Sequence, residues 1–166
     1  MIEEREKPVY DALTSLGINY VRYEHPPIYT VEEAKKLDIV IAGAKCKNLF
    51  LKSKRKEQYY ILIAEEDKRV DLKRMAKEVG ALGLYFAPAE KLYELLKLTP
   101  GSVTPFGVLN DSERIIHILI DQDLTKEAVV TFHPNINTAT IGIAYEDLEK
   151  FLVWNNTTFS YVILDK

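Results

Sequence analysis

The sequence predicts an α/β (α+β) fold: a single domain, residues 1–166, with a curved mixed β-sheet, partly barrel-like, flanked by about five helices. Strand-like segments often follow one another directly, which favours a mixed sheet over a doubly wound parallel one. Between them, apolar residues recur at helical spacing, as Val9, Ala12, Leu13 and Leu16 do. A chain of 166 residues, 47% of them hydrophobic, can bury one core without disulfides or metals.

Local signals place each element along the chain. Thr30 and Glu33 have the spacing of a capping box, and Asp71 and Gly80 suit the start and end of a helix. The charged KRKE between two β-rich segments indicates a hairpin. In order, the predicted elements are a helix over 3–16 ended by Gly17, a strand in INYVRYEH, a helix over 30–37, strands KNLFLKS and QYYILIA, a helix from Asp71 to Gly80, a strand in LGLYFA, a helix from Pro88 to Lys97, strands RIIHILID, AVVTFHP and TATIGIA, the helix YEDLEKFLVW and the strand FSYVILD.

Charge is distributed unevenly along the chain. The net charge is −3, but residues 1–110 carry 18 basic against 16 acidic side chains, whereas residues 111–166 carry 4 against 9. The stretch 45–56 has six basic residues and no acidic one, which suits either phosphate contacts or a solvated strand edge. The start MIEEREK lacks a secretory pattern, and no apolar run approaches the roughly 20 residues that span a bilayer. We therefore expect a cytoplasmic, soluble protein without a membrane partner.

Familiar enzyme signatures are missing from the sequence. There is no GxxxxGK[ST], no GxGxxG after a strand, no HExxH and no GxSxG. A single cysteine and three scattered histidines disfavour a zinc site. Cys46 has no base among its alternating strand neighbours, so a small buried thiol is a better interpretation than a nucleophile.

The three histidines differ in their surroundings. His117 lies inside an alternating strand and is predicted to be a partly buried structural residue. His25 precedes two prolines and is expected to be exposed. His133 lies at a strand end beside a proline and a polar turn, where functional groups are often presented.

Two further features each fit two interpretations. TPGSVTPFG has a composition that fixes backbone shape, which fits either a plain turn or a loop whose backbone groups line a tight pocket. Lys47 shares a strand face with Leu49 and Leu51, so its ammonium must extend to solvent or find an anion.

The ordered set CKNLFL at 46–51, GSVTP at 101–105 and FHPNINTAT at 132–140, with HPPIYTVEEA at 25–34 upstream, resembles the YbaK/ProX family of editing domains. The likeness is greatest to its branch of freestanding alanyl-tRNA(Pro) deacylases, and the family is similar to the insertion domain of bacterial prolyl-tRNA synthetases. The match runs across nearly the whole chain.

The resemblance implies hydrolysis of the ester that joins a wrong amino acid to tRNA(Pro). No metal or nucleotide cofactor is expected, and DNA is not expected as a partner. It assigns catalytic roles to Lys47, Gly101 and His133. Asn48 stands where the cysteine-editing branch tends to have threonine, which favours alanine. Substrate-binding residues implied in the same way are Asn48, Ser102, Val103, Thr104, Pro105, Tyr29 and Thr30, and the candidate tRNA contacts are Lys45, Lys52, Lys54, Arg55 and Lys56.

The leading hypothesis is therefore a deacylase of Ala-tRNA(Pro), in which water attacks the ester with help from the terminal adenosine's 2′-hydroxyl. A transient contact with prolyl-tRNA synthetase is a further expectation. Two alternatives stay open: a deacylase of Cys-tRNA(Pro) or another small aminoacyl-tRNA, and a non-catalytic module that senses an amino acid or aminoacyl-tRNA. The acidic part after residue 110 is expected to face away from the RNA.

Overall fold

A computed structural model describes residues 1–55 and 58–165 of the chain. In this part the helices follow the local signals: Thr30 and Asp71 accept hydrogen bonds from Glu33 N and Arg74 N, and Gly80 ends its helix with a left-handed φ of +71°. The α-helices are α1 Lys7–Ser15, α2 Val31–Lys35, α3 Leu72–Val79, α4 Ala89–Leu96 and α5 Tyr145–Trp154, and two 3-10 helices cover Pro105–Asn110 and Gln122–Lys126.

In the described part of the chain, eight strands form one mixed sheet in the order β1-β7-β6-β2-β3-β5-β8, with β4 paired to β2 as well. The predicted hairpin is present as the antiparallel pair β2–β3, while β3–β5, β5–β8 and β2–β6 are parallel. The strands are β1 Val21–Glu24, β2 Ala44–Ser53, β3 Tyr59–Glu65, β4 Leu84–Phe86, β5 Ile116–Asp121, β6 Val129–Phe132, β7 Ala139–Ala144 and β8 Thr158–Val162.

The mixed α/β fold class is confirmed, and its barrel-like aspect needs a correction. In the described part of the chain β1 and β8 stand at opposite ends of the strand order and do not pair, so the sheet is not closed. Strand pairing is a non-local property that apolar alternation does not fix.

Helices cover the two faces of the sheet unequally. The larger core places α1, α4, α5 and the 3-10 helix Pro105–Asn110 against one face, around Phe106 and Phe151. The smaller core places α3 against the other face, with Leu51, Leu62 and Met75 at its centre. Strand β2 contributes side chains to both cores, Phe50 to the first and Leu51 to the second. This central strand carries Lys47 and Asn48.

Candidate active site

One edge of β2 is left partly open. On that side β2 pairs with β6 only at Ala44 and Lys45, and with β4 only over Leu51–Ser53. Phe50 O accepts a hydrogen bond from Ala87 N, so the N–H and C=O of Asn48, two residues earlier, point toward the same edge. A gap between β6 and β4 thus exposes the backbone of a central strand.

A cavity of about 350 Å³ fills this gap. It brings together all three residues expected to be catalytic, Lys47, Gly101 and His133. Four expected substrate-binding residues and one expected tRNA contact line it as well; they are Tyr29, Thr30, Asn48, Val103 and Lys45. Its size is at the lower end of the range for small-molecule sites.

Lys47 is half-buried, and its ammonium donates a hydrogen bond to the backbone carbonyl of Lys68. That carbonyl lies on a firmly held loop, because Lys68 Nζ is 2.7 Å from Asp121 Oδ1 and 2.6 Å from Asp123 Oδ2. Burial alone would lower the pKa of Lys68, but its hydrogen bonds to Asp121 and Asp123 hold that pKa above the usual value. The ion-paired loop therefore fixes where the Lys47 ammonium lies.

Asn48 presents a polar atom without a protein partner. Its Oδ1 is buried and accepts no hydrogen bond within the described residues. A buried unsatisfied acceptor is destabilising by roughly 1–3 kcal/mol, so native proteins keep few of them. Because Asn48 lines the cavity, a ligand with an O–H or N–H group can satisfy this oxygen.

His133 is held in one tautomer. Its Nδ1 lies 2.9 Å from the carbonyl oxygen of Ala139, which can only accept, so Nδ1 carries the proton and Nε2 is left as an acceptor. Burial, and to a lesser degree the nearby His25, lowers the pKa of His133 below its usual value. The imidazole is therefore neutral at physiological pH.

His25 is buried, at 8% exposure, contrary to the expectation of an exposed loop residue. Its backbone N–H donates to Thr138 O, and its Nε2 lies 2.8 Å from Thr140 Oγ1. The ring centroids of His25 and His133 are 6.0 Å apart. These contacts come from Thr138, just before β7, and from Thr140 within β7, which the prolines after His25 do not reveal. They support the wall of the cavity at Thr140.

The loop from Thr99 to Pro105 uses backbone at the cavity and side chains within itself. Gly101 has a φ of +94°, and a Cβ there would lie 2.8 Å from Tyr29 Cδ1. Ser102 Oγ donates to Thr99 O, Thr104 accepts from Phe106 N, and Pro105 begins a 3-10 helix. Ser102, Thr104 and Pro105 are thus buried in the loop, whereas Gly101 and Val103 line the cavity.

Cys46 lines the cavity but is unsuited to nucleophilic attack. Burial raises the pKa of its thiol to about 12, so the thiolate is scarce near pH 7. Its Sγ lies 3.7 Å from Ala44 O. This agrees with the interpretation of Cys46 as a small packed side chain.

The basic stretch 45–56 does not form one patch at the cavity. Lys52 is five residues beyond Lys47, roughly 17 Å along β2, and its Nζ lies over the rings of Tyr59 and Tyr85 at 5.8 and 5.6 Å. Lys54 and Arg55 follow at the same distant end and are exposed, and Lys56 lies outside the described residues. Of the expected tRNA contacts that the structure describes, Lys45 alone borders the cavity.

A larger groove, of about 540 Å³, contains His117. His117 is half-buried as predicted, and its two ring nitrogens lie 2.7 Å from Thr158 Oγ1 and 2.8 Å from Ser160 Oγ. Both nitrogens are therefore occupied within the fold, which makes the smaller cavity the better candidate site. Across residues 1–55 and 58–165 no helix has the length and apolar character to cross a membrane.

Sequence reasoning missed Glu66, Thr131 and Thr140 among the lining residues. Glu66 directly follows β3, and the register Cys46↔Glu65 places it opposite Lys45. Recognition of the hairpin could have found it, because residues facing each other in an antiparallel pair share a face. Thr131 and Thr140 come from β6 and β7, whose pairing needed the structure.

Comparisons with known proteins relate the chain to aminoacyl-tRNA editing proteins. A family model described as an aminoacyl-tRNA editing domain matches residues 25–151. The prolyl-tRNA editing protein ProX of Acetoanaerobium sticklandii is 40% identical over 161 residues, covering 97% of this chain and 98% of that protein. The prolyl-tRNA synthetase associated domain-containing protein 1 of Bos taurus is 35% identical over 156 residues, covering 92% of this chain and 90% of the relative.

Among solved structures, a candidate trans-editing enzyme for prolyl-tRNA synthetase superposes with a TM-score of 0.75, covering 100% of this chain and 99% of the other at 21% identity. This likeness confirms the fold.

Proposed function

The chain belongs to the aminoacyl-tRNA editing domain family, and from this premise we propose that it hydrolyses the ester of mischarged Ala-tRNA(Pro). The class of reaction is that of the aminoacyl-tRNA deacylases, which split a carboxylic ester into an amino acid and a free tRNA. The finer assignment has two supports. Asn48 stands where the cysteine-editing branch tends to have threonine, which favours alanine, and the 40% identical relative is named a prolyl-tRNA editing protein, which favours tRNA(Pro).

The observation that carries the proposal is the meeting of Lys47, Gly101 and His133 at one cavity beside the open edge of β2. These residues are far apart in the sequence and come from a strand, a Pro/Gly loop and the turn after β6. A cation, backbone groups in a tight loop and a neutral histidine acceptor form a polar set that suits ester hydrolysis.

In this proposal Lys47 binds the 3′ end of the tRNA. Its ammonium uses one donor on the Lys68 carbonyl and keeps others for a phosphate oxygen or a ribose hydroxyl. Asn48 Oδ1, buried and unpartnered, accepts a hydrogen bond from a substrate hydroxyl or ammonium. Lys45 at the cavity and the more distant Lys52, Lys54 and Arg55 are proposed to contact RNA phosphates.

The size limit for the amino acid is proposed to lie at Gly101 and Val103. Because a Cβ at Gly101 would come within 2.8 Å of Tyr29, backbone and Tyr29 already meet at van der Waals distance there. A loop closed in this way leaves room for a small side chain and excludes larger ones by contact.

The chemical step proposed is attack by water on the ester carbonyl carbon. The bond from that carbon to the ribose oxygen breaks, the ribose oxygen takes up a proton, and alanine leaves. His133 Nε2 accepts a hydrogen bond from the attacking water, and the terminal 2′-hydroxyl assists. No protein nucleophile is needed, in keeping with the high thiol pKa of Cys46.

The direct test is deacylation of purified Ala-tRNA(Pro), followed as release of alanine, by the wild type, Lys47→Ala and Lys45→Ala. We expect Lys47→Ala to lose roughly tenfold to a hundredfold in kcat/KM, the scale of one lost charge-assisted hydrogen bond to the tRNA end. Lys45→Ala removes a neighbouring exposed ammonium and should raise KM with little change in kcat.

Two results would overturn the proposal. Preference for Cys-tRNA(Pro) in a panel of mischarged tRNAs would change the substrate. Binding without turnover at enzyme excess would indicate a sensing module instead of an enzyme.

A further inference from the structure

Glu66 is the one acidic side chain among the described residues that line the cavity. It follows β3 directly, and its backbone N–H donates to Lys45 O at 3.0 Å, which continues the β2–β3 ladder by one pair. Cross-strand partners share a face, so the Glu66 side chain lies on the same side of the sheet as those of Lys45 and Lys47.

Within residues 1–55 and 58–165, no hydrogen bond or ion pair engages this carboxylate. Burial raises the pKa of Glu66 and the neighbouring Asp67 raises it further, while the charges of Lys45 and Lys35 lower it without forming an ion pair with it. Asp67, by contrast, is ion-paired to Lys35 at 2.9 Å, and the buried Glu6 is paired to Arg22 at 3.0 Å. A half-buried carboxylate held without a close cation is costly unless a ligand supplies one.

An aminoacyl ester brings such a cation. Its α-amino group is free and substantially protonated near neutral pH. The cavity presents two ammonium groups, from Lys45 and Lys47, which would repel this group if nothing offset them. A carboxylate on the same sheet face attracts it through charge-assisted hydrogen bonds.

Resting on the proposed deacylase function, we propose that Glu66 binds the α-ammonium group of the aminoacyl moiety. Lys47 then binds the tRNA 3′ end, and Glu66 binds the amino acid. Together they orient the ester across the open edge of β2. A blocked amino group cannot make this contact, so the site selects esters with a free amine and rejects N-acylated and peptidyl esters.

The test compares two nearly isosteric substrates, Ala-tRNA(Pro) and lactyl-tRNA(Pro), in which a hydroxyl replaces the ammonium. Wild type, Glu66→Gln and Asp67→Asn are assayed on both. Asp67→Asn is the matched control, because it removes the adjacent exposed carboxylate, which does not line the cavity. We expect Glu66→Gln to lose about tenfold or more in kcat/KM on the alanyl ester, the value of one charge-assisted hydrogen bond, and at most about twofold on the lactyl ester.

The possible results distinguish the role of Glu66 from the deacylase function itself. Equal losses on both esters would mean that Glu66 only supports the fold, and no loss on either would mean that Lys45 already neutralises it; both results overturn the inference. A wild type that cleaves neither ester refutes the deacylase function itself, and the role of Glu66 with it. Partial recovery on the alanyl ester by Glu66→Asp would support the charge contact.

Discussion

Replacement of Gly101 by alanine tests the cavity at its narrowest wall. A φ of +94° is unfavourable for any residue with a Cβ, and the left-handed region is less stable for alanine by about 1–2 kcal/mol. The new methyl group would also lie 2.8 Å from Tyr29 Cδ1 and 3.2 Å from Tyr29 Cε1, so the ring must move. Tyr29 is 65% exposed, which lets it rotate, and the resulting shift alters the cavity more than the core.

Gly80→Ala provides the matched control. Gly80 also has a left-handed φ, +71°, but a Cβ there meets nothing within 4 Å, and it lies at the end of α3, outside the cavity. Urea unfolding should show losses of about 1–2 kcal/mol for both variants, while kcat/KM on Ala-tRNA(Pro) should fall by about tenfold or more for Gly101→Ala only. Full activity in Gly101→Ala, or an equal activity loss in Gly80→Ala, would refute the reasoning.

Three further predictions concern the cavity and its support. Asn48→Leu removes a buried unsatisfied oxygen, so urea unfolding should show unchanged or higher stability while deacylation falls sharply; a large loss of stability would contradict this. Lys68→Met leaves Asp121 buried without its cation and should lower the free energy of unfolding by about 3–5 kcal/mol, measured by urea titration; a loss below about 1 kcal/mol would argue against the ion pair. Because burial lowers the pKa of His133 and its neutral form is required, kcat/KM on Ala-tRNA(Pro) should be constant between about pH 6.5 and 7.5 and fall at lower pH, and the fall should be smaller in His133→Asn.

Elements with local causes were predictable from the sequence. The helix from Asp71 to Gly80 is present as α3 because its cap and its left-handed glycine are set by residues within the element. The hairpin likewise follows from two β-rich segments joined by a charged turn. The 3-10 helix at Pro105–Asn110 was missed because the Pro/Gly composition of the loop also fits an irregular turn.

Contacts between strands that are distant along the chain could not be predicted from the sequence. The prolines after His25 suggested exposure, yet His25 is buried and bonded to Thr138, just before β7, and to Thr140 in β7. The order of strands determines which residues meet at the cavity, and apolar alternation is equally compatible with several orders. Glu66 differs: the predicted hairpin places it opposite Lys45, but no motif around it marks it as a site residue.

The open edge of β2 explains why the site lacks a recognisable triad. A central strand normally has its backbone groups paired on both sides, and unpaired ones are costly when buried. Here β6 and β4 pair with the two ends of β2 and leave Asn48 between them, so the strand offers backbone N–H and C=O groups as well as side chains to a ligand. Recognition by backbone needs few reactive side chains, and Cys46, whose thiol pKa is raised to about 12, can remain inert in the same strand.

The identity of the side chain at position 46 should therefore matter little for activity. Cys46→Ala should deacylate Ala-tRNA(Pro) within about twofold of the wild type, since a buried thiol of this pKa supplies no nucleophile. A loss comparable to that of Lys47→Ala would instead require a role for the thiol in the reaction.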